Sequence, residues 1–391
     1  MSKKVRYAFS RLLNNFIVKD TISPLESKGK AGILIVLRCP LGDSVVETPL
    51  LRELRRTFPK HHITLITTNY NLFELCPYVD EVVSDGIGGL TPFVKVAWKC
   101  HKLMKRLTSR CNYELAVVPS LYMPNMIDSW LCYFSKAQRR FTFSEKLNPN
   151  WHSWLKGAHD KCFTVALEIE GLKHAVEREK EMLAAIGGQM VDDRYELWTD
   201  EEDKKAVDQI YDIPAGRNII VNMSTNIRHK EWPVENYIEL CKRLVEKERL
   251  NFLLIGAGEY AQKYSDEFSK HFHNVYDFTN RTTVRQTIEV MRKAEIYIGG
   301  DTGPMHIAAA LNMRGVAIFG VSKNCNLAME DMARRLYPWH ADIKVLQPEK
   351  ALPGCESGCN KNYAHCIKQV TVDEVYNAVV EILREGKQQI K

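Results

Sequence analysis

The chain has little uninterrupted hydrophobic sequence. Its longest apolar runs are as short as Ile33–Leu37, whereas a helix needs about 20 apolar residues to cross a bilayer. We therefore expect no membrane-spanning segment. Basic residues near the start could begin a signal peptide, but Arg11, Asn14 and Asn15 interrupt any apolar core and no small-residue cleavage site follows. These absences indicate a cytoplasmic protein.

A strong excess of positive charge is also missing. The 391 residues include 54 Lys and Arg against 48 Asp and Glu, for a net charge of +6. Non-specific binding of nucleic acid depends on a strong positive bias. We therefore do not expect nucleic acid as a partner.

Cysteine is sparse for a chain of this length. Eleven cysteines are too few for a disulfide scaffold. Most of them, such as Cys39, Cys76, Cys132 and Cys241, sit singly inside apolar stretches. We expect these to be reduced residues of the core.

The sequence of residues 1–30 predicts an amphipathic, basic extension. Apolar side chains recur at helical spacing, and polar or basic side chains take the other face. The apolar positions are Val5, Phe9, Leu12, Leu13, Phe16 and Ile17, and the polar ones are Lys4, Ser10, Arg11, Asn14 and Asn15. We expect residues 3–18 to lie on the cytoplasmic face of a membrane as a peripheral contact with anionic lipid. The alternative is a helix docked on a domain or on a dimer partner.

The remainder alternates buried strands with helices, which predicts an α/β fold with two doubly wound parallel sheets. We place a first domain at residues 31–195 and a second at 196–391, with the carboxyl ends of both sheets facing a central cleft. The predicted strands are Ile33–Leu37, Ile63–Thr67, Glu81–Val83 and Glu114–Val118, then Ile219–Met223, Phe252–Ile255, Ile296–Ile298 and Val316–Phe319.

The most informative segment is 298–311, where a strand runs through a turn into an Ala-rich helix. Pro304 suits the first helical position, with Thr302 or Gly303 as N-cap, so free amides face the ligand-binding edge of the sheet. Such a terminus attracts phosphate. The alternative is a purely structural role, in which Asp301 and Thr302 only cap a core helix. The nearby His306 makes that alternative weaker.

A second polar segment follows the strand that ends near Met223. Ser224, Thr225 and Lys230 could hold a diphosphate and offset the charge that grows as it leaves. An ordinary Ser-Thr-Asn turn is the alternative. Gly256 to Glu259 resembles a nucleotide turn but lacks the third glycine of a dinucleotide fingerprint, so NAD binding is not predicted.

In the first domain, Asp43 follows the first strand at a helix N-terminus. A catalytic carboxylate and an N-cap are equally good interpretations of that position alone. The domain also carries several basic side chains, which form either a solvated face or a site for an anionic, phosphate-bearing acceptor. These are Lys99, Lys102, Lys105, Arg106, Arg110, Lys136, Arg139 and Arg140.

Taken together, these segments resemble glycosyltransferase family 9, the bacterial ADP-heptose heptosyltransferases of the lipopolysaccharide inner core, some relatives of which glycosylate proteins. The resemblance runs from about residue 33 to residue 383. It rests on the segments 33–43, 48–59 and 77–82 in the first domain and on 230–233 and 301–310 in the second. Lys230-Glu-Trp departs from the family's commoner Lys-Arg-Trp, and Cys39-Pro40 stands where small or apolar residues are usual.

The resemblance implies the GT-B arrangement of two Rossmann-like domains, with inversion at the anomeric carbon and no required cofactor or metal. It implies Asp43 as catalytic base and a lipopolysaccharide core or protein acceptor. Among the basic side chains of the first domain, we take Lys102, Arg139 and Arg140 as the candidates for contact with that acceptor. The implied donor site for ADP-heptose consists of Ser224, Thr225, Lys230, Glu259, Asp301, Thr302, Gly303, Pro304 and His306. The alternatives are another GT-B transferase or epimerase that uses a different nucleotide sugar, and a non-catalytic sugar-nucleotide-binding subunit of envelope assembly.

A late group of thiols remains outside these motifs. Cys355, Cys359 and Cys366 are close enough in sequence to share one metal, with Cys325 or His365 as a fourth ligand. A tetrahedral structural site for zinc or iron is the expectation. Reduced surface thiols are the alternative. We expect this cluster to lie away from the donor and base motifs.

Overall fold

The structure is a computed structural model that describes residues 11, 14, 15, 17, 18, 30–87, 93–120, 126–171, 173–324, 332–356 and 361–388. Within these residues there is no helix long and apolar enough to pass through a bilayer. The chain divides into two compact units. The first comprises Met1–Gly171 and Ala175–Asp193, and the second comprises Leu172–His174 and Arg194–Lys391.

The first unit contains a six-stranded sheet in the order β3-β2-β1-β4-β5-β6, with every pair parallel. Its strands are β1 (Lys30–Leu37), β2 (His62–Thr67), β3 (Glu81–Ser84), β4 (Cys111–Val118), β5 (Arg139–Phe143) and β6 (Val165–Leu167). Its helices are α1 (Leu41–Val46), α2 (Thr48–Thr57), α3 (Tyr70–Phe73), α4 (Phe93–Thr108), α5 (Met126–Phe134), α6 (Pro149–Leu155) and α7 (Ala175–Ile186). Short 3₁₀ turns lie at Glu145–Leu147 and Asp160–Cys162.

The second unit repeats this topology with the order β12-β11-β10-β7-β8-β9, again entirely parallel. Its strands are β7 (Arg217–Asn222), β8 (Leu250–Leu254), β9 (Val275–Asp277), β10 (Ile296–Gly300), β11 (Arg314–Ile318) and β12 (Ile343–Leu346). Its helices are α8 (Glu201–Ile210), α9 (Val234–Val245), α10 (Glu259–Ser269), α11 (Val284–Arg292), α12 (Gly303–Ala310), α13 (Met332–Arg335) and α14 (Val372–Gln388). The 3₁₀ turns are Arg228–Lys230 and Cys366–Gln369.

Both sheets have the doubly wound strand order, in which the chain reverses direction across the sheet beside the first strand. The reversal lies between β1 and β4 in the first unit and between β7 and β10 in the second. The predicted α/β fold class is therefore confirmed. The sequence did not reveal β5, β6, β9 and β12, which lie toward the edges of the two sheets.

The central strands are fully buried because helices cover both faces of a parallel sheet. Ile33 to Leu37 in β1 have no exposed surface. One core cluster of the first unit packs Leu34 and Val36 against α4 and α5. The corresponding cluster of the second unit packs β7, β8 and β10 against α9 and α14.

The few described residues of the N-terminal extension contact the first unit. Asn14, expected on a polar face, is instead fully buried. Its side-chain amide donates to the carbonyl of Ala158 at 2.7 Å and accepts from Nε1 of Trp130 at 3.0 Å. Ile17 and Val18 pack against the same core. At these positions the extension is docked on the protein. Most of the predicted membrane-contacting stripe lies outside the described residues.

We predict that Asn14→Leu destabilises the fold. Leucine is similar in size but leaves the Ala158 carbonyl and the Trp130 N–H without their buried partner, which costs about 2 kcal/mol or more. Urea denaturation measures the free energy of unfolding. Asn15→Leu is the matched control because Asn15 is exposed. Equal unfolding midpoints for the two variants would contradict the docked position.

Candidate functional site

In the second unit, three loops converge at the carboxyl edge of the sheet, next to the reversal point between β7 and β10. Asn222, the last residue of β7, links them. Its Nδ2 donates to the carbonyl of Ile255, just after β8, at 3.2 Å. Its Oδ1 accepts from Oγ1 of Thr302, just after β10, at 3.0 Å. Ligands of open α/β sheets bind at this edge.

Helix α12 begins at this edge. Thr302 is its N-cap, Gly303 is its first residue and Pro304 follows in the first turn. Because the Thr302 hydroxyl bonds to Asn222, it does not cap the helix amides. The N-terminus of α12 therefore offers backbone N–H groups and the positive end of the helix dipole to an anion.

A nearly buried ion pair joins two of the loops. The ammonium of Lys230 lies 2.6 Å from Oδ2 of Asp301, and their side chains are 12% and 6% exposed. A lone charge so far from water would be costly, whereas the pair is mutually compensated. The pair places a cation immediately beside the start of α12.

The loop that carries Lys230 is held by its neighbours in sequence. Thr225 Oγ1 donates to the carbonyl of Ile227 at 2.7 Å and forms a local turn. Glu231, next to Lys230, accepts from Tyr264 at 3.0 Å and pairs with Arg228 at 2.5 Å. The indole of the buried Trp232 donates to the carbonyl of Val370 at 2.8 Å. These contacts orient the loop without using the Lys230 ammonium.

The turn after β8 lies against the same loop. Gly256 has a φ of +154°, and a Cβ there would approach Ser224 Oγ to 3.0 Å. Glycine thus permits close contact between the two loops. Glu259 is the first residue of α10 and is exposed. Ser224 and the turn leading to Glu259 are therefore neighbours.

His306 lies under this edge, in the second turn of α12. It is 2% exposed, and among the described residues its Nδ1 has no hydrogen-bond partner. Burial lowers the pKa of His306 to about 4, against an opposing effect of Asp301. The imidazole is therefore neutral near pH 7 and supplies no positive charge.

In the first unit, Asp43 occupies the corresponding edge. It lies in the first turn of α1, shortly after β1, and is half-buried. The N-cap of α1 is Pro40, so Asp43 is not the capping residue. Asn69 Nδ2 donates to Ser44 Oγ and to the Cys39 carbonyl, both at 2.8 Å, which ties the turn after β1 to the turn after β2.

A buried pair of carboxyl groups lies behind Asp43. Glu47, one helical turn further along, and Glu179 of α7 are 8% and 1% exposed. Burial, followed by the charge of Asp43, raises the pKa of Glu47 to about 8, and contact with Glu179 opposes this. Burial also raises the pKa of Glu179 well above its usual range. The pair therefore retains protons when an ordinary carboxyl group is ionised.

The three predicted acceptor residues do not form one cluster. Lys102 lies on the exposed side of α4, with its ammonium 5.1 Å from the centre of the Trp98 ring. Arg139 is exposed at the start of β5 and donates to the carbonyl of Ile186 at 2.8 Å. Arg140 is 8% exposed, and its guanidinium donates to the carbonyls of Cys162 and Ala137 at 2.8 and 2.6 Å. The expectation for Arg140 is corrected, since these structural bonds occupy it.

Three of the predicted metal ligands lie close together. Cys355, His365 and Cys366 bring one ligand atom each to within 4.8 Å of one another. Nδ1 of His365 lies 3.4 Å from Sγ of Cys355 and 3.6 Å from Sγ of Cys366. Two sulfurs and one imidazole nitrogen suit zinc or iron. Cys325 and Cys359 lie outside the described residues.

This Cys-His group is closer to the loop that carries Lys230 than expected. The segment 361–370 contains His365 and Cys366. It also provides the Lys361 carbonyl, which lies 3.0 Å from Nδ1 of His229, and the Val370 carbonyl that accepts from Trp232. The expectation that the cluster lies away from the donor motif is therefore wrong, because this segment supports the residues on both sides of Lys230.

The two doubly wound sheets define a fold of the GT-B type. A model of glycosyltransferase family 9 (heptosyltransferase) matches residues 100–361. The chain belongs to this family.

Individual relatives are distant. Lipooligosaccharide heptosyltransferase 2 of Campylobacter jejuni is 22% identical over 163 residues, which cover 40% of this chain and 48% of that protein. This match thus spans about half the length of the relative. Lipopolysaccharide core heptosyltransferase OpsX of Haemophilus influenzae is 22% identical over 350 residues, covering 87% of this chain and 94% of that one.

Solved structures share the fold. A family 9 glycosyltransferase from Veillonella parvula superposes with a TM-score of 0.72 at 17% identity, covering 93% of this chain and all of that one. The E. coli heptosyltransferase WaaC with ADP-2-deoxy-2-fluoro heptose gives a TM-score of 0.61 at 15% identity, covering 90% and 99%.

Sequence reasoning missed three side chains that shape these edges. Nothing in the sequence around Asn222 indicated that its side chain would connect three loops. Glu47 could have been found, because it lies four residues after Asp43 and so shares its helix face. Its partner Glu179 is 132 positions further along the chain, and only the fold brings them together.

We predict that Glu47→Gln changes how stability depends on pH. In the folded protein the pKa of Glu47 is raised, so wild type loses stability as pH rises from the ordinary carboxyl pKa toward about 8. Glutamine does not ionise. Between about pH 5 and pH 8 the variant should gain on the order of 2 kcal/mol relative to wild type, measured by urea denaturation.

The control for this change is Glu177→Gln, at an exposed position of the same helix as Glu179. Its stability should follow wild type at both pH values. A Glu47→Gln difference that stays constant with pH would show that Glu47 is ordinarily ionised in the folded state.

Proposed function

We propose that the chain is an inverting glycosyltransferase that moves heptose from ADP-heptose to a hydroxyl group of a lipopolysaccharide inner-core or protein acceptor. One observation carries the proposal: in a family 9 chain, the Lys230–Asp301 pair lies beside the N-terminus of α12 at the reversal point of a parallel sheet. That combination suits an anionic diphosphate attached to a sugar.

The second unit would bind the donor. Lys230, Ser224, Thr225 and the first-turn amides of α12 would hold the diphosphate, and Asp301 would bind sugar hydroxyls. The exposed Glu259 suits the ribose hydroxyls. ADP-heptose as donor is supported by the shared fold with WaaC, whose structure contains ADP-2-deoxy-2-fluoro heptose. His306 would support the site as a buried neutral side chain.

Asp43 would act as the base. As the acceptor oxygen forms its bond to the anomeric carbon, Asp43 would take the hydroxyl proton and the bond from that carbon to the diphosphate would break. This single displacement inverts the anomeric carbon and needs one carboxylate, because no sugar–enzyme bond is formed. Retained protons on the Glu47–Glu179 pair limit the negative charge around Asp43.

Departure of ADP increases negative charge on the diphosphate. The Lys230 ammonium and the α12 amides are positioned in advance for that charge, which is the usual form of electrostatic stabilisation in enzymes. We therefore propose that transfer needs no divalent ion.

An anionic glycolipid or a protein is the proposed acceptor, reached on the cytoplasmic side of the inner membrane. Lys102 and Arg139 remain candidates for contact with acceptor phosphates, since both lie on exposed surface of the first unit. Arg140 has no part in this proposal.

We also propose a structural zinc or iron ion at Cys355, His365 and Cys366. The convergence of two sulfurs and a nitrogen supports it. The ion would have no chemical role in transfer. It would fix the segment 361–370 beside the donor loop.

We predict that Asp43→Asn lowers turnover about 10²- to 10⁴-fold, the usual effect of losing a general base, and leaves the Kd of ADP unchanged. Lys230→Ala should weaken ADP binding and turnover together, because it removes charge from the donor site. Heptose transfer in EDTA-treated samples measures turnover, and calorimetry measures ADP binding.

Glu114→Gln, at an exposed carboxylate in the same unit, is the control and should behave as wild type. Transfer by Asp43→Asn at the wild-type rate would mean that another group is the base. Turnover with UDP-sugars but not with ADP-heptose would contradict the proposed donor.

We predict that purified protein contains about one equivalent of zinc or iron and that Cys355→Ser with Cys366→Ser loses it, because thiolates are the stronger ligands in the site. Elemental analysis measures the metal. Cys241→Ala, at a buried cysteine of the second unit, should retain it. Less than roughly a tenth of an equivalent of any transition metal in wild type would exclude the site.

A further inference from the structure

Helix α4 (Phe93–Thr108) divides sharply into two faces. Its inner side chains belong to the core of the first unit: Val96, Ala97, Cys100, Leu103, Met104 and Leu107. Each of them is at most 9% exposed. The orientation of α4 is therefore set by burial, and its outer face is directed to solvent.

The outer face is basic. Lys95, Lys102, Lys105 and Arg106 are exposed, and Lys99 beside them is half-buried. At 100° per residue these five positions fall within one third of the helix circumference. The helix sequence from Phe93 to Thr108 contains no Asp or Glu. The face therefore carries five positive charges and no negative one of its own.

Among the described residues, no neighbouring carboxylate neutralises these charges. Within the described part of the chain, none of the five cations forms an ion pair, whereas Arg110, just beyond the helix, pairs with Glu81 at 2.8 Å. An uncompensated cluster of cations on a rigid helix favours an extended anionic surface over a single small anion.

A tryptophan lies within this face, between Lys102 and Lys105 in helical projection. Trp98 is 59% exposed, the highest exposure among the large aromatic side chains described. The Lys102 ammonium lies 5.1 Å from its ring centre. An indole exposed to water lacks the favourable free energy that burial of its apolar surface would provide. Tryptophan flanked by cations is the composition of side chains that settle at the headgroup level of a bilayer.

We propose that the outer face of α4 binds the surface of an anionic lipid bilayer, with Trp98 in the headgroup region and the five cations on acidic headgroups. This surface has no part in the transfer chemistry itself. The inference rests on the proposed function in one respect, because an acceptor carried by lipid would be reached at a membrane surface. The N-terminal extension is not needed for it.

The test is sedimentation of the full chain with vesicles, without nucleotide sugar. Wild type should bind vesicles of two parts phosphatidylcholine to one part phosphatidylglycerol, bind pure phosphatidylcholine weakly, and dissociate as salt is raised. Lys95→Glu with Lys105→Glu should lower the partition coefficient roughly tenfold or more, since each cation near an anionic surface contributes severalfold. Trp98→Ser should lower it even in low salt.

The matched control is Lys204→Glu with Lys205→Glu, which makes the same change in net charge at exposed positions of α8. It should reduce binding much less. Thermal unfolding checks that every variant is folded. If the α4 variants bind like the control, or if only charge reversal at Lys3, Lys4 and Arg6 abolishes binding, the α4 face is not the lipid-binding surface.

ADP binding by the same variants separates the two proposals. Loss of vesicle binding with normal ADP affinity supports the α4 surface whatever sugar is transferred. If wild type fails to transfer heptose but binds vesicles normally, the proposal that ADP-heptose is the donor is wrong and the proposed lipid-binding surface still holds.

Discussion

The parallel direction of every strand pair is the constraint on which the rest of the structure depends. In a parallel sheet all carboxyl ends lie at one edge, and at the reversal point the loops leave toward opposite faces, which opens space there. Asp43 follows β1, Lys230 lies in the loop after β7, and Asp301 follows β10. These strands flank the reversal points. Residues separated by 71 positions, such as Lys230 and Asp301, therefore meet without any local sequence signal.

The two edges handle buried charge in opposite ways. In the second unit a cationic and an anionic side chain lie 2.6 Å apart, so each has a partner of opposite charge away from water. In the first unit two carboxyl groups, Glu47 and Glu179, lie together, and burial raises the pKa of both so that they retain protons. The first arrangement keeps a positive charge ready for an anionic ligand. The second keeps Asp43 from facing a further full negative charge.

Sequence reasoning located the central strands and the loops at their ends, because continuous apolar runs such as residues 33–37 admit few other interpretations. It failed at the edges of the sheets. Val165–Leu167 and Val275–Asp277 are three-residue, half-buried strands, too short to show a period. It also interpreted adjacent arginines as one basic patch, although alternation along β5 exposes Arg139 and buries Arg140. Burial of Asn14 depends on Trp130 and Ala158, which no pattern within residues 1–30 could reveal.

Loss of the contacts between the segment 361–370 and the side chains of His229 and Trp232 would change the kinetics of the protein. They flank Lys230 on both sides, and none of them involves Asp43. Oxidation of the thiols at Cys355 or Cys366 would loosen this support without altering Asp43, the proposed base. If Lys230 has the proposed role, such damage would raise the KM for the nucleotide sugar and lower kcat together, because the same ammonium is proposed to hold the diphosphate and to stabilise its departure. The affinity of a preparation for the nucleotide sugar would therefore depend on how much of its Cys355 and Cys366 had been oxidised.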